Sequence, residues 1–449
     1  MDRWKDPRFL SLSQSLEEQG KIDRQLYDDF NVMHGLRKKD GTGVLVGITR
    51  IGDVTGYRRE EGQIIPTQGD LTYRGYSILD LVADLQKTDR LGFEEITYLL
   101  LLGKLPTKED LDYFKSLLLE AQCLPDHFLE DVLLKIPSTN LMNKMMRALL
   151  ALYSYDQDPE SDDIKNVLRQ SMSIIAKLPL IMAYSYQAQR HYIDGDSLII
   201  HKPRPDYSMA ENILHMIRPD SQFSREEAKI LDLLLIVHAE HGGGNNSSFA
   251  THVVSSAGTD SYSTMATALA SLKGPRHGGA NLKVTAMLED LRANIRSLDQ
   301  DQDIENYLRK VLAKEAFDGK GLIYGIGHAV YTLSDPRALL LKDQARQLAQ
   351  IKGCEDLFYF VERVEKIGGR LVQERNQLDH PVCCNVDLYS GLVYDMLGLA
   401  KNLYTPLFAL GRMSGWSAHR LEQVLDNKII RPAYVYLSGH RTYLPLDQR

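Results

Sequence analysis

Cysteine is scarce: Cys123, Cys354, Cys383 and Cys384 are the only four in 449 residues. None forms a CxxC pair, and adjacent Cys383 and Cys384 do not easily bridge each other. A disulfide framework is therefore excluded, and a reduced, cytosol-like compartment is expected, with the thiols acting as small buried hydrophobes. Long apolar runs are absent too. The longest, Leu99–Leu102 and Leu233–Val237, fall far short of the ~20 residues that cross a membrane. The N-terminal stretch MDRWKDPRFL mixes acids and bases and has no signal-peptide apolar block. There is no excess of basic charge: 53 Lys and Arg stand against 60 Asp and Glu, a formal charge of −7. That balance argues against a nucleic-acid protein, yet a few arginines in a dry pocket still grip an anionic substrate. Fixed-period repeats and low-complexity tracts are also missing. The expectation is a soluble cytoplasmic protein with neither nucleic acid nor membrane as partner.

Several catalytic signatures are missing as well. There is no GxxxxGK[ST] phosphate loop and no GxSxG nucleophile elbow. Gly325-Ile326-Gly327-His328 lacks the third glycine and the following helix of a dinucleotide loop. His238-Ala239-Glu240-His241 does not have HExxH spacing, and no third ligand is evident, so no metal is expected. Taken alone, His241 also reads as a capping histidine at the negative end of a helix dipole.

What is present is ordinary globular composition, 43% hydrophobic and 25% charged, in a chain too long for one simple core. Two or three domains are expected. Residues 8–38 read as a polar helical arm. Seven glycines between Gly41 and Gly69, set among Val, Ile and Thr, read as turns and a small β element. Beyond Ser77 helical spacing dominates, as in Phe93, Ile96, Leu99 and Leu100, with Gly103 stopping the run. Ser224 to Glu227 has capping-box spacing. It opens an apolar helix that runs into His238–His241 and is expected to end at Gly242–Gly244. A helix over about 262–272 stops at Gly274-Pro275. His277 then sits in a tight loop leading into a helix from about Ala280. Residues 297–303 read as a surface loop. Gly321–Gly327 reads as a loop carrying His328, and Asn385-Val386-Asp387 stands just before a helix from Leu388.

Spacing alone does not gather these residues into one site; their contexts do. HAEHGGGNNSSF (238–249), GPRHGGAN (274–281), GIGHAVYTLSDPR (325–337), NVDLYSG (385–391), PLFALGRMSGWSAHR (406–420) and NKIIRPAYVY (427–436) closely resemble successive motifs of the citrate synthase family. Upstream, GDLTYRGYSILDL and FEEITYLLLLGKLPT do the same, so the resemblance runs in order from about Gly47 to Tyr436.

The resemblance implies an all-α fold with minor β near the N-terminus. After an arm of 1–40, a large helical domain (41–278 and 394–449) would carry a smaller mobile one (279–393). It implies Claisen-type condensation of acetyl-CoA with oxaloacetate, an acyltransferase reaction of the tricarboxylic acid cycle. Hydrolysis of the citryl thioester to citrate and CoA would follow. The alternative within the family is 2-methylcitrate synthase, which uses propionyl-CoA. A retired, merely regulatory member would have lost one of the catalytic groups, and here all are present. His277, His328 and Asp387 are the implied catalytic residues, with His241, Arg337, Arg412 and Arg431 holding oxaloacetate. Arg431 would come from the partner subunit of a homodimer. No cofactor is implied beyond acyl-CoA as substrate. Gly325, Ile326, Gly327 and Lys320 are the implied CoA contacts. Ala329 and Thr332 stand where many bacterial members carry basic residues, Arg276 where leucine is common, and Gly242 where HxDHE has an acid. Lys320 or Lys342 is expected to supply the missing charge.

The chemistry explains these residue types. A methyl group beside a thioester is barely acidic, so a carboxylate base must remove its proton, and Asp387, made more basic by burial, is the candidate. The enolate needs a donor at the thioester oxygen, and a neutral His277 near a helix N-terminus suits that. His328 would polarise the ketone, and the arginines would bind two carboxylates in bidentate pairs.

Overall fold

The structure is a computed structural model that describes residues 21–38, 42–60 and 63–448, with Pro7, Ser11 and Gln14 before them. It divides into two compact units, Met1–Gly47 with Arg431–Arg449, and Ile48–Ile430. In the first, Gln25–Asp29 is helical and His34–Leu36 forms a 3-10 turn. Among residues 21–38 of the expected helical arm only Gln25–Asp29 is α-helical, and residues 8–20, apart from Ser11 and Gln14, lie outside the described residues. Cys123, Cys354, Cys383 and Cys384 are all unpaired. Among the described residues, no helix is long and apolar enough to cross a membrane.

The Ile48–Ile430 unit is almost entirely helical after one small sheet. Strands β1 (Gly52–Glu60), β2 (Gln63–Tyr73) and β3 (Tyr76–Ser77) form an antiparallel sheet in that order, with Gly52 opposite Tyr73 and a bulge between Thr55 and Tyr57. The glycine-punctuated stretch is therefore a true hairpin. Leu71 and Tyr73 turn their side chains into the core, as period-2 alternation dictates.

Two long helices make the centre, Ile164–Tyr192 and Tyr404–Asp426. The second is buried nearly all round. It lies tightly on the helix Arg225–His238: Gly415 donates its N–H to the Ala239 carbonyl at 3.1 Å, and a β-carbon at Gly415 would collide with that oxygen. Arg225–His238 opens on the expected Ser224/Glu227 capping box. It stops at His238, not at the triple glycine. The Tyr73 hydroxyl stands where the last helical bond would form, donating to the Ile236 carbonyl at 2.8 Å and accepting the Glu240 N–H at 3.4 Å. Two other boundaries also move. The helix expected from Leu388 begins at Val386, capped by Asn385. The helix Asp301–Leu312 starts inside the expected surface loop, because Asp301 and Asp303 favour its N-terminus.

Two helices that end or begin at the site are joined far from it. Glu227, in Arg225–His238, accepts from Arg218 at 2.8 and 2.9 Å and from Lys352 at 2.5 Å. Lys352 is the last residue of Pro336–Lys352. Burial alone would raise the Glu227 carboxyl, but these hydrogen bonds outweigh it and hold it at about 2. A depressed carboxyl stabilises the fold above its unfolded value and loses that contribution as pH falls towards 2. Glu227→Gln is expected to cost about 1–3 kcal/mol at neutral pH. In urea unfolding the difference from the parent should shrink below about pH 4. A difference constant down to pH 3 would contradict the ion-pair origin.

Candidate active site

The site is assembled where helix ends and loops of the Ile48–Ile430 unit meet. His238 closes its helix, and its carbonyl accepts from Arg412 Nε at 2.5 Å. Arg412 lies over the Phe408 ring at 4.8 Å. Its Nη1 is buried without a hydrogen-bond partner, as is His241 Nε2. Three residues past the helix, the His241 ring stands 5.2 Å from His328 and 5.6 Å from Tyr331. His328 stacks on Tyr331 at 4.5 Å, and Arg337 lies over the other side of the cluster, 5.6 Å from the Tyr331 ring.

His328 has a defined tautomer. Its Nδ1 accepts the backbone N–H groups of Val330 and Tyr331, both at 3.0 Å. The neutral ring therefore carries its hydrogen on Nε2.

Gly325–Gly327 is zipped to Cys383–Asn385. Gly327 N–H donates to the Cys383 carbonyl (2.8 Å), Asn385 N–H to the Gly325 carbonyl (2.9 Å) and Asn385 Nδ2 to the Gly327 carbonyl (2.8 Å). This pairing sets His328 beside the helix turn that carries Asp387. Asp335 completes the link. Its carboxylate takes Arg337 Nε and Nη2 in a fork, at 3.0 and 2.8 Å, and accepts the Val386 N–H at 3.1 Å.

His277 enters from the loop after Lys273. Its Nε2 is 3.0 Å from Ser247 Oγ, which lies 2.8 Å from Asn245 Oδ1 and accepts from Trp416 Nε1 at 3.1 Å.

The electrostatics follow from burial among fixed cations. Burial, with Asp335 nearby, raises the Asp387 carboxyl to about 6, although Arg337 and Arg412 pull it down. Burial, then Arg412, lowers His277 to about 4. The expected helix dipole is thus not the leading cause. His241 is pushed well below its ordinary value by burial and then by Arg337 and His328. Arg412 is lowered by burial to about 10 and keeps its charge at neutral pH. Burial also opposes the charge of Arg337, but the Asp335 carboxylate holds it above the ordinary range. The set comprises a carboxyl that titrates near neutrality, neutral imidazoles and fixed guanidinium groups. That suits proton removal from carbon with charge developing on oxygen.

His241, His277, His328, Arg337, Asp387 and Arg412 thus all belong to the Ile48–Ile430 unit; His241 and Asp387 each feel both Arg337 and Arg412, and His277 feels Arg412. Arg431 belongs to the other unit. Lys320 is exposed, and its backbone N–H donates to Asp318. Lys342 is engaged by Glu362 and Glu365 at 3.1 and 2.8 Å. Thr332 gives its hydroxyl to the Gly56 and Thr67 carbonyls. Sequence reasoning missed Asp335, Tyr331 and Ser247. Asp335-Pro336 was legible as a helix start, an N-cap followed by proline; Tyr331 and Ser247 carried no such signal.

This arrangement now has relatives to stand beside. The family model described as citrate synthase, C-terminal domain, matches residues 40–433. The chain belongs to the citrate synthase family. It is 33% identical over 385 residues to a citrate synthase of Synechocystis sp., covering 85% of this chain and 89% of that protein. A 2-methylcitrate synthase of Shewanella oneidensis is 31% identical over 387 residues, covering 84% and 92%. Among solved structures, citrate synthase from Pyrobaculum aerophilum superposes with a TM-score of 0.74 at 30% identity, covering 91% of this chain and 94% of that one. The ternary complex of the Thermoplasma acidophilum citrate synthase with carboxymethyl coenzyme A and oxaloacetate gives 0.73 at 26% identity, covering 90% and 97%.

The hairpin positions the His328 loop by contact. Gly69 donates its N–H to Ser334 Oγ at 3.1 Å, and a β-carbon at Gly69 would run into the Ser334 carbonyl and, at 2.6 Å, the Tyr331 ring. Gly69→Ala is expected to reduce turnover at least ~10-fold, since about 1 Å of misplacement suffices, while far-UV circular dichroism stays the same. Full turnover in that variant would show that the hairpin does not set the loop.

Proposed function

We propose that this site condenses acetyl-CoA with oxaloacetate and hydrolyses the resulting citryl thioester to citrate and CoA. The observation that carries the reading is the Asp387 carboxyl, raised to about 6 in the same buried cluster as His277 and His328. Asp387 takes a proton from the acetyl methyl group. His277 gives a hydrogen bond to the thioester oxygen as charge gathers there. The Ser247 hydroxyl, 3.0 Å from His277 Nε2, holds the ring in place. The enol carbon then attacks the ketone of oxaloacetate, and His328 Nε2–H protonates the new alkoxide. Arg337, Arg412 and His241 hold the oxaloacetate carboxylates, and Arg412 Nη1 and His241 Nε2 are the unpaired groups that suit the task. Water then cleaves the thioester, releasing CoA.

The remaining parts of the reading rest on family likeness. Arg431 reaches oxaloacetate from a second copy of the chain in a homodimer. Residues 279–393 close over the substrates, because an enol must be kept from water. Gly325–Gly327 and Lys320 contact CoA. The condensation needs no cofactor, and the enzyme works in the cytoplasm within the tricarboxylic acid cycle. The 2-methylcitrate relatives, of nearly the same identity, support propionyl-CoA as a second acyl donor, since one methylene changes discrimination by only about 1–3 kcal/mol.

Free-thiol detection of CoA release tests the reading directly. Release should require oxaloacetate, and kcat/KM should be higher with acetyl-CoA than with propionyl-CoA. Preference for propionyl-CoA would move the assignment to 2-methylcitrate synthase, and no release with either would remove it.

The pH profile tests the base. An acid raised to about 6 must lose its proton to act, so kcat/KM should fall about tenfold per unit below that pH. His277, lowered to about 4, stays neutral across this range. Asp387→Asn should lower turnover at least ~10²-fold. A profile flat down to pH 5 would take the role from Asp387.

A further inference from the structure

A second histidine cluster lies outside the proposed condensing residues. His252 belongs to the helix Asn246–Ser255, and His419 and Glu422 to Tyr404–Asp426. His252 Nε2 and His419 Nδ1 face each other at 3.0 Å. Glu422 stands beside them, and the three residues each offer one ligand atom within 4.8 Å of the others.

The outer nitrogen of each ring decides what the inner one carries. His419 Nε2 is 3.0 Å from Glu240 Oε1, a carboxylate oxygen that only accepts, so Nε2 bears the hydrogen. His252 Nδ1 is 2.9 Å from Gln423 Oε1. The Gln423 amide cannot be turned round, because its Nε2 donates to the Lys428 carbonyl at 3.2 Å. His252 Nδ1 therefore bears its hydrogen as well. In two neutral imidazoles both inner nitrogens then present lone pairs to each other at hydrogen-bond distance. Such a contact is stable only when a cation lies between the pair, either a proton or a metal ion.

Glu422 decides between them. One of its oxygens accepts the Arg50 N–H at 2.8 Å, while Oε2 is buried with no hydrogen-bond partner. A proton shared by the two rings leaves that anionic oxygen unsatisfied, whereas a metal ion that draws Oε2 in as a third ligand satisfies it. Bond lengths agree. Zinc–nitrogen bonds of about 2.0–2.1 Å set neighbouring tetrahedral ligands roughly 3.3 Å apart, close to the separation of the two rings. Each ring is also held from behind by a carboxylate or an amide oxygen, the outer arrangement that orients metal-binding histidines.

We propose that His252, His419 and Glu422 bind a divalent ion of the zinc class, with water as fourth ligand. The ion takes no part in the condensation. It cross-links two helices, and through Glu240, whose Oε1 also accepts the Gly242 N–H at 2.5 Å, it braces the turn that carries His241.

The test uses full-length protein freed of metal with a chelator, and Co²⁺ as the probe. The expected result is uptake of about one Co²⁺ per chain with the strong visible bands of four-coordinate cobalt, displacement by Zn²⁺, and a higher Tm. Uptake should weaken at least ~10-fold in His252→Gln and persist in His328→Ala. X-ray absorption on the loaded parent protein counts ligands without any substitution, and should show two imidazoles. No stoichiometric uptake, uptake unchanged in a folded His252→Gln, or a first shell without two imidazoles would each overturn the site.

Discussion

The Asp335 carboxylate is the point on which the active-site geometry depends. It caps the helix Pro336–Lys352 through the Arg337 N–H, grips the Arg337 side chain in a fork, and accepts the Val386 N–H at the start of the Asp387 helix. One buried anion thus sets an arginine and a carboxyl in mutual register. Buried pairs of this kind add little net stability, yet breaking one leaves an uncompensated charge that costs about 3–5 kcal/mol. The geometry is enforced by the expense of leaving it.

The same buried charges set the chemistry. The Asp387 carboxyl and the His277 imidazole need opposite shifts, the first raised and the second lowered. Burial alone moves both in those directions, because it disfavours the charged form of each. The guanidinium groups then act unequally. They push the imidazoles further down, and they restrain the carboxyl so that it stops near neutrality. A site richer in cations would keep Asp387 too weak a base; a site poorer in them would leave it protonated.

Much of this was legible in the chain. The helical spacing of Phe93–Leu100, the Ser224/Glu227 capping box and the loop around His277 all appear where local pattern put them, since local hydrogen bonds decide them. The early end of Arg225–His238 was not legible, because the group that ends it is the hydroxyl of Tyr73, remote in sequence. The zipper between Gly325–Gly327 and Cys383–Asn385 was invisible for the same reason. Lys342 looked like a free cation in the sequence, and only folding supplies the two glutamates that occupy it. Motif contexts found the principal residues of the cluster, but not Asp335, Tyr331 or Ser247, whose importance lies in what they touch.

His328 has both lone-pair directions of its Nδ1 taken by backbone N–H groups. Many catalytic histidines pass protons through the ring, in at one nitrogen and out at the other. This ring is one-sided. Whatever hydrogen leaves Nε2 must return to Nε2. Any proton that this ring exchanges while neutral therefore passes at Nε2, on the side away from the Val330 and Tyr331 amides, and the two-residue turn that follows the histidine sets the direction of its chemistry.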